Sequence, residues 1–426
     1  MTKGSLNKVL SNVQKQYTPD NESVVKLKRR LQEFVFLLER ELKKEKINAD
    51  VFIGGSFAKG TMIKKEKEEI DIFIRYPLND EEISEKTDKV LQKISVDVKS
   101  VHGSRDYFQI PLENGTFFEV IPVKRIKNVK EAQNITDLSA FHVAYVKKAL
   151  AKNKKLVGEI RLAKAFCHAQ NVYGAESHIQ GFSGYALELL VIQYKGFVKF
   201  LQAMIKAKDQ VILFDKKQYK NKQILLMEVN SAKLVSPIVF VDPTCKDRNA
   251  LAALSKETFE QFQDSARKFL KSPSTKHFEK QIVDFSSLER KAKSKRLEFV
   301  LVEIETDRQE GVIAGSKLLK FSKFLEQVIS SKFKIVEKKF YYANGKTAQF
   351  GVSVKPLKKS LRRGPGAKDK KHVQAFRQEH KKAFLKKKRW YCEKIIEKNL
   401  KAFLENWKMK NYAQLQGMSV KDLRFV

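Results

Sequence analysis

The sequence predicts a multidomain α+β protein, on three observations. Its 426 residues suggest two to four domains, each large enough for its own core. Hydrophobic residues make up 42% and aromatics 10%, a composition that folds rather than staying disordered. Along the chain, apolar residues at three- and four-residue spacing alternate with short apolar runs bounded by turn residues, so helices and strands interleave.

In order, Val24, Leu27, Leu31, Phe34, Leu38 and Leu42 describe an amphipathic helix of about six turns. It leads to a strand at Val51-Phe52-Ile53, a Gly54-Gly55-Ser56 turn and a second strand at Ile70–Ile74. Asp80–Ile94 reads as a helix with acidic residues in its first turn, where the macrodipole favours them. Val96–His102 and Tyr107–Leu112 read as strands, and Glu113-Asn114-Gly115 as a hairpin turn into the strand Thr116–Val123. Ser183, between Gly181 and Gly184, caps a long apolar helix predicted over Tyr185–Leu201. Val211–Phe214, Ile224–Val229 and Ile238–Val241 read as strands or extended segments, and Ser255 caps a helix at Glu257–Leu270. Lys271–Lys295 is polar and lysine-rich, a linker by composition. A β-α-β-β order follows: strand Phe299–Ile304, helix Leu318–Ile329, strand Phe333–Tyr342, an Asn344-Gly345 hairpin and strand Ala348–Val354. Arg362–Gly366 is expected to break the sheet, with helices at Lys371–Leu385 and Cys392–Trp407. Domain limits are expected at 1–136, 137–275 and 276–426.

The chemistry concentrates in Val51–Pro77. Glycines let a backbone turn sharply, and the N–H groups after such a turn can cradle an anion. Lys59 and Thr61 follow closely, putting a cation and a hydroxyl beside that anion site. With a side-chain period of two, Glu69 and Asp71 share one strand face while Ile70, Ile72 and Ile74 share the other. Two neighbouring carboxylates repel, and a hard divalent cation relieves the repulsion. The plainer alternative is the solvated face of an edge strand. Glu119, in the middle of Phe117-Phe118-Glu119-Val120-Ile121, is the second informative acid, because burying a lone carboxylate costs several kcal/mol unless something pairs with it. A metal shared with Glu69 and Asp71 would be such a partner, and an edge strand with one exposed Glu is the other reading.

Lys and Arg number 85 against 49 for Asp and Glu, a formal charge of +36, which points to a polyanionic partner, first of all nucleic acid. No stretch is apolar over the length of a spanning helix, so no membrane partner is expected. The N-terminal residues lack the apolar core of a signal peptide, and Cys167, Cys245 and Cys392 are too sparse for paired metal spacing. Both fit a reducing cytoplasm. Lys386–Tyr391 mixes four cations with two aromatics, suited either to phosphate contact with base stacking or to a solvated helix junction.

Gly-Ser, a spacer, an acidic-x-acidic strand and a third strand carboxylate resemble the signature of the DNA polymerase β-like nucleotidyltransferase superfamily. Further motifs resemble the archaeal (class I) tRNA CCA-adding enzymes: Asp137-Leu138-Ser139-Ala140-Phe141-His142, Arg161-Leu162-Ala163-Lys164, and Asn171-Val172-Tyr173-Gly174-Ala175-Glu176. So do Gly181–Tyr185 with Glu188 behind it, Val241-Asp242-Pro243, and Arg248-Asn249. The order holds over roughly the first 270 residues; beyond them the likeness rests on Arg362-Arg363-Gly364-Pro365 and the order of elements.

The resemblance implies a nucleotidyltransferase head with a small mixed sheet at 1–136, a helical nucleotide- and RNA-binding central domain at 137–275, and a C-terminal α/β RNA-binding body and tail at 276–426. It implies Glu69, Asp71 and Glu119 as the acidic ligands of two Mg²⁺ ions, with Glu119 helping to activate an RNA 3′-hydroxyl. Ser56 and Lys59 would hold the triphosphate; Ser139, His142, Lys164 and Tyr173 would complete the nucleotide pocket, and Arg248 would meet the base edge. Taken alone, His142 reads as a helix-cap histidine, Lys164 as part of a solvated helix face, Tyr173 as a packed helix-end aromatic and Arg248 as a loop cation. The family usually has Asp at Glu119 and Arg at Lys59, so the carboxylate shifts by a methylene and the fork is lost. The implied activity is addition of C-C-A to tRNA from CTP and ATP, and a homodimer is among the assemblies the resemblance allows. A poly(A) polymerase or other 3′-tailing enzyme has the same chemistry, and a basic RNA-binding protein with a decayed site is an alternative of another class.

Overall fold

The computed structural model describes residues 3–426 except 66–67, 95–96, 104, 113–114, 282, 358–360, 394–396 and 398. The chain forms two compact units, Met1–Gln281 and Ile282–Val426.

The N-terminal unit begins with helices α1 (Lys3–Tyr17) and α2 (Asn21–Lys44); the Asp20 side chain accepts the Ser23 N–H at 2.8 Å and caps α2. A five-stranded sheet follows: β1 (Asp50–Ile53), β2 (Glu69–Tyr76), β3 (Lys99–Val101), β4 (Tyr107–Pro111) and β5 (Phe117–Lys124), in the spatial order β1-β2-β5-β4-β3. Only β2 and β5 run parallel; the other pairs are antiparallel. A five-residue helix, α3 (Gly55–Lys59), lies between β1 and β2, and α4 (Ile83–Lys93) follows β2.

The strand period of two sorts the sheet. Ile70, Ile72, Ile74, Phe118 and Val120 form one apolar face with Leu31, Phe34, Leu38 and Leu42 of α2 and Val90 and Leu91 of α4. Phe34 stacks on Phe118 with ring centroids 4.9 Å apart. The opposite face holds only a small cluster, Phe73, Ile121 and Val123 with Phe52 and Tyr107, and this leaves its upper half free for polar side chains.

A helical layer completes the unit: α5 (Ser139–Lys152), α6 (Leu156–Ala169), α7 (Gly184–Tyr194), α8 (Phe197–Lys206) and, further along the chain, α10 (Lys256–Lys271). Its core centres on Phe166, whose ring meets Phe197, Phe262, Phe269 and Phe278 at 5.7 to 6.1 Å between centroids. Ser183 does cap α7, its Oγ accepting the Ala186 N–H at 3.1 Å, but the single helix expected over Tyr185–Leu201 is two. Lys195 turns left-handed and Gly196 adopts φ +143°, which ends α7 and redirects the chain into α8. A three-stranded sheet of β6 (Val211–Leu213), β7 (Ile238–Asp242) and β8 (Cys245–Asn249) flanks this layer. Between β6 and β7, Ile224–Val229 is not extended: α9 (Lys222–Glu228) forms there because Asn221 caps it and Leu225 anchors one face in the local core. The expected linker Lys271–Lys295 is partly structural: Phe278 is buried in the helical core, and Phe285–Ser294 is helix α11.

The C-terminal unit has a four-stranded antiparallel sheet in the order β10-β11-β9-β15, from β9 (Glu298–Thr306), β10 (Phe333–Tyr342), β11 (Thr347–Pro356) and the last strand, β15 (Val420–Phe425). Helix α12 (Val312–Ser330) packs Leu318, Phe321 and Leu325 onto it. The β-α-β-β order and the Asn344-Gly345 turn are as the sequence predicts, with Asn344 at φ +63°. The tail is not. Arg362–Gly366, expected to break the sheet, lies in β12 (Leu361–Gly366), which joins β13 (Phe384–Lys386) and β14 (Arg389–Glu393) in a second sheet. Helix α13 (Lys370–Glu379) stops before Leu385; of the helix expected over Cys392–Trp407, residues 394–396 and 398 lie outside the described residues, Cys392 lies in β14, and Leu400–Lys410 is α14, followed by the short helix α15 (Tyr412–Gly417). Lys387 and Lys388 both take positive φ and close the β13–β14 hairpin, so the Lys386–Tyr391 run is a hairpin, not a helix junction. Of the other predicted turn, Glu113 and Asn114 lie outside the described residues, as does Val96; the strands beside the turn, β4 and β5, pair antiparallel.

Candidate active site

The carboxylates stand on the open face of the five-stranded sheet. In the parallel register of β2 and β5, Asp71 lies directly beside Glu119, and on the other side of Glu119 its partner is Gln109 of β4. Strand β5 is central and β2 is flanked on both sides, so neither acid sits on an edge strand. Gln109 Nε2 donates to Glu119 Oε1 at 3.3 Å, and Lys65 Nζ lies 3.0 Å from Glu69 Oε1.

The first turn fits against this row. The Gly54 N–H donates to the Asp71 carbonyl at 2.9 Å, extending the row by one backbone. Gly55 takes φ +59°, and a Cβ there would fall within the Asp71 carboxyl group, 2.6 Å from Cγ. A glycine is therefore required at 55 for both its backbone angle and its close approach. Ser56 follows at the start of α3, and α3 packs on α5, which begins with Ser139.

Burial and like charge push both acids up. Glu119 rises to about 8, through burial and then through Asp71 and Glu69. Asp71 rises to about 6, through burial and then Glu69, with Lys59, Lys65 and Lys164 pulling the other way. Two buried carboxylates that cannot both ionise cheaply are oxygen donors short of a countercharge, and a hard divalent cation fits that need. As the side chains stand, no group of three or more His, Cys, Asp and Glu among the described residues is gathered to enclose an ion. The Glu69 carboxylate is turned toward Lys65, so it would have to rotate to join Asp71 and Glu119.

Behind α3 lies a buried ionic group. Glu188 of α7, fully buried, takes Lys59 Nζ at 2.6 Å on Oε2, and Lys164 Nζ at 2.8 Å and the Thr61 hydroxyl at 2.6 Å on Oε1. Lys164 Nζ also donates to the Thr61 carbonyl at 3.3 Å and hydroxyl at 3.1 Å. Thr61, read from sequence as a hydroxyl beside the anion site, instead faces inward to Glu188. Burial alone would raise the Glu188 pKa, but the two lysines outweigh it and hold it at about 2. Lys164 falls below its ordinary value because burial, with Lys59 nearby, outweighs the attraction of Glu188. Far from a solvated helix face, its side chain is only 3% exposed.

A second hub is Asp242, at the end of β7. It pairs with Arg248, accepts the Tyr185 hydroxyl at 3.0 Å and the Thr244 N–H at 2.8 Å, and lies 3.1 Å from His142 Nε2. The His142 contact has ion-pair distance without hydrogen-bond alignment. Burial would raise the Asp242 pKa, but His142, Arg248 and the Thr244 N–H together hold it well below the usual range. His142 stacks on Tyr185 with centroids 4.0 Å apart, and the Arg248 guanidinium lies 5.7 Å above the same ring. Burial keeps His142 below its ordinary pKa. Tyr173 stacks on His168 at 3.7 Å and is held in a short bridge to Phe182; burial raises its phenol well above the ordinary value. Arg161 braces the α3–β2 connection by donating to the carbonyls of Met62 at 3.0 Å and Gly60 at 3.1 Å.

The structure thus brings Asp71 and Glu119 together, with Glu69 two residues before Asp71 on the same strand and Ser56 following the Gly55 that meets the Asp71 carboxyl group, and gathers His142 and Arg248 on Asp242. Lys59 and Lys164 meet on Glu188 rather than in the open. Glu188 and Asp242 carry these two hubs, and sequence reasoning gave neither a role. Besides their place in the motifs of the resemblance, the signal is position: Glu188 lies inside the apolar run Tyr185–Ile192 and Asp242 directly follows Ile238–Val241, where an ionised group needs a partner.

The chain is similar to known proteins in sequence and in fold. Residues 37–160 match the family described as a nucleotidyltransferase domain, and residues 158–279 match the second domain of tRNA nucleotidyltransferases. A CCA-adding enzyme of Nanoarchaeum equitans is 38% identical over 246 residues, 57% of this chain and 60% of that enzyme. One from Saccharolobus shibatae is 28% identical over 326 residues, 75% of this chain and 73% of that one. One from Thermoplasma volcanium is 28% identical over 281 residues and is matched over 57% of its length. The chain thus spans about 60% of the first of these relatives. Among solved structures, the RNA terminal uridylyl transferase Cid1 superposes with a TM-score of 0.51 at 10% identity, over 66% of this chain and the whole of Cid1. A cytoplasmic RNA terminal U-transferase gives 0.50 at 12% identity, over 66% of this chain and 99% of that one. At such identities the likeness is one of fold. Among the described residues, no helix is long and apolar enough to cross a membrane.

Proposed function

From a chain that belongs to the polymerase β-like nucleotidyltransferase superfamily and is homologous to the archaeal CCA-adding enzymes, we infer a template-independent tRNA nucleotidyltransferase that adds or repairs the 3′-terminal C-C-A of tRNA from CTP and ATP. The observation that carries this reading is the parallel register that sets Asp71 beside Glu119 next to the Gly54-Gly55-Ser56 turn.

Asp71, Glu119 and, after rotation, Glu69 would hold Mg²⁺, which supplies charge neutralisation for the attacking oxygen and the phosphate. Ser56 and the N–H groups of the turn suit the triphosphate. Glu119 would act in its ionised form, which a bound cation favours over the protonated one, and would then take the proton of the RNA 3′-hydroxyl. The freed oxygen attacks the α-phosphorus, the bond to the β-phosphate oxygen breaks, and pyrophosphate leaves. The His142–Tyr185 stack and Arg248 offer an aromatic surface and a planar donor to a base, and Tyr173 and Ser139 complete the pocket. Arg377 stacks 4.9 Å over Trp390 beside the Lys387-Lys388 hairpin, a cationic aromatic surface in the C-terminal unit that suits an RNA backbone.

The test is an end-trimmed tRNA incubated with Mg²⁺ and CTP plus ATP. Extension that stops after C-C-A is expected. An open-ended A tail would select a 3′-tailing enzyme instead, and no incorporation would overturn the reading.

A further inference from the structure

We propose that Glu188 is a positioning residue of the nucleotide site, and that Lys59 serves the site as its ion partner rather than by gripping phosphate. The proposal rests on the nucleotidyltransferase reading and deepens it.

Lys59 is the last residue of α3, the helix whose first residue presses on Asp71, and its ammonium pairs with Glu188, 129 residues further along the chain. Its side chain is 7% exposed. Thr61, two residues on, is tied to the same carboxylate, and Lys164 of α6 joins it too. Segment 54–61 thus hangs between two fixed points: the Gly54 N–H on the Asp71 carbonyl in front, and Glu188 behind. The position of Ser56 and of the turn N–H groups follows from both.

Charge balance sharpens the point. Two ammonium groups share one buried carboxylate and leave one net positive charge close behind α3. Lys59 and Lys164 both act on Asp71, which places that charge within reach of the site. An anion arriving at the turn meets this charge without either lysine leaving Glu188. Removing the carboxylate alone strands two buried ammonium groups against each other, which costs more than the loss of one hydrogen bond. Removing it together with one ammonium restores the balance.

The experiment is a double-mutant cycle on ATP binding without RNA, by equilibrium dialysis, together with kcat and KM for addition to tRNA. The proteins are wild type, Lys59→Met, Glu188→Gln and Lys59→Met/Glu188→Gln. Glu188→Gln is expected to weaken ATP binding at least about tenfold and to raise KM more than it lowers kcat, because no reacting atom is touched. The double variant is expected to bind ATP several-fold more tightly than Glu188→Gln alone. If Lys59 gripped phosphate directly, the two losses would add, and a double variant weaker than either single one overturns the proposal. Wild-type affinity in Glu188→Gln overturns it too. Should Glu188→Gln fail to fold, a double variant that folds and binds ATP no more weakly than Lys59→Met supports the proposal, and one that binds it more weakly overturns it. Failure of the functional reading looks different: the wild-type protein itself would bind neither ATP nor CTP.

Discussion

The Asp71–Glu119 pair makes a quantitative prediction about metal binding. With Glu119 at about 8 and Asp71 at about 6, at pH 7 the first is about nine-tenths protonated and the second about one-tenth. Metal ligands must be ionised, so Mg²⁺ binding at pH 7 is expected to release about one proton, nearly all of it from Glu119. At pH 9.5 release should be close to zero. Titration calorimetry in two buffers of different ionisation heat measures the number directly, and Glu119→Gln should reduce it at pH 7 to about a tenth of a proton. The same shifts fix a sign for stability. Both folded values lie above the ordinary 4.5 and 3.8, so the folded state holds these protons more tightly than the unfolded chain. The pair's contribution to metal-free stability is therefore greatest at acid pH. It falls as pH rises from about 4 through about 8, by up to about 1.4 kcal/mol per pH unit for each group in its own window. Zero net proton release by the wild-type protein at pH 7, or equal release from Glu119→Gln, would refute the argument.

Four further outcomes follow from the same geometry. Asp71→Asn should lower nucleotide addition by at least about a thousandfold while tRNA binding stays within a few-fold, checked by single-turnover extension and a filter-binding titration. Gly55→Ala should destabilise the N-terminal unit by roughly 1–3 kcal/mol and cut activity, because the new Cβ meets the Asp71 carboxyl group at a left-handed φ; denaturant titration reads the first effect. Asp242→Asn leaves the Arg248 guanidinium without its countercharge and should cost roughly 3 kcal/mol in the same titration, whereas Thr244→Val should cost about 1. Binding of tRNA should weaken linearly in log–log salt plots, and Lys387→Ala/Lys388→Ala should lower the slope by about 1.8 if both contact phosphate in duplex RNA.

The placement of the three acids is legible in the sequence because strand periodicity is local. Glu69, Asp71 and Glu119 sit on strands whose period of two sorts side chains by face, and the Gly54-Gly55 turn announces itself by composition. The β9–β11 layer was legible for the same reason, including its Asn344-Gly345 turn. Errors arose where a conformation lacked its usual residue or was decided from far away. Lys387 and Lys388 turn a hairpin at positive φ, which lysine seldom does, so from sequence the run reads as a junction between two helices. Ile224–Val229 is β-prone in composition, yet the Asn221 cap and the burial of Leu225 make it helical. Gly196 is different: it is visible in the sequence as a glycine inside an apolar run, and the structure ends α7 there.

The orientation of Lys59 is the most instructive gap. Five residues of helix cannot show which way their last side chain points, since one face looks to the sheet and another to the helical layer. That choice is made by Glu188, and the residues themselves show Glu188 as a charge in an apolar run. A buried acid in such a run predicts a cationic partner, and three basic candidates precede it in motifs: Lys59, Arg161 and Lys164. Arg161 is taken by the Met62 and Gly60 carbonyls, which leaves the two lysines that the structure pairs with Glu188. Cations that look like phosphate ligands in a linear motif can thus be divided by the fold into those that face the ligand and those that hold its cradle. The division follows from desolvation: an ammonium 7% exposed beside a carboxylate at about 2 gains more by staying paired than by crossing a helix to reach an anion.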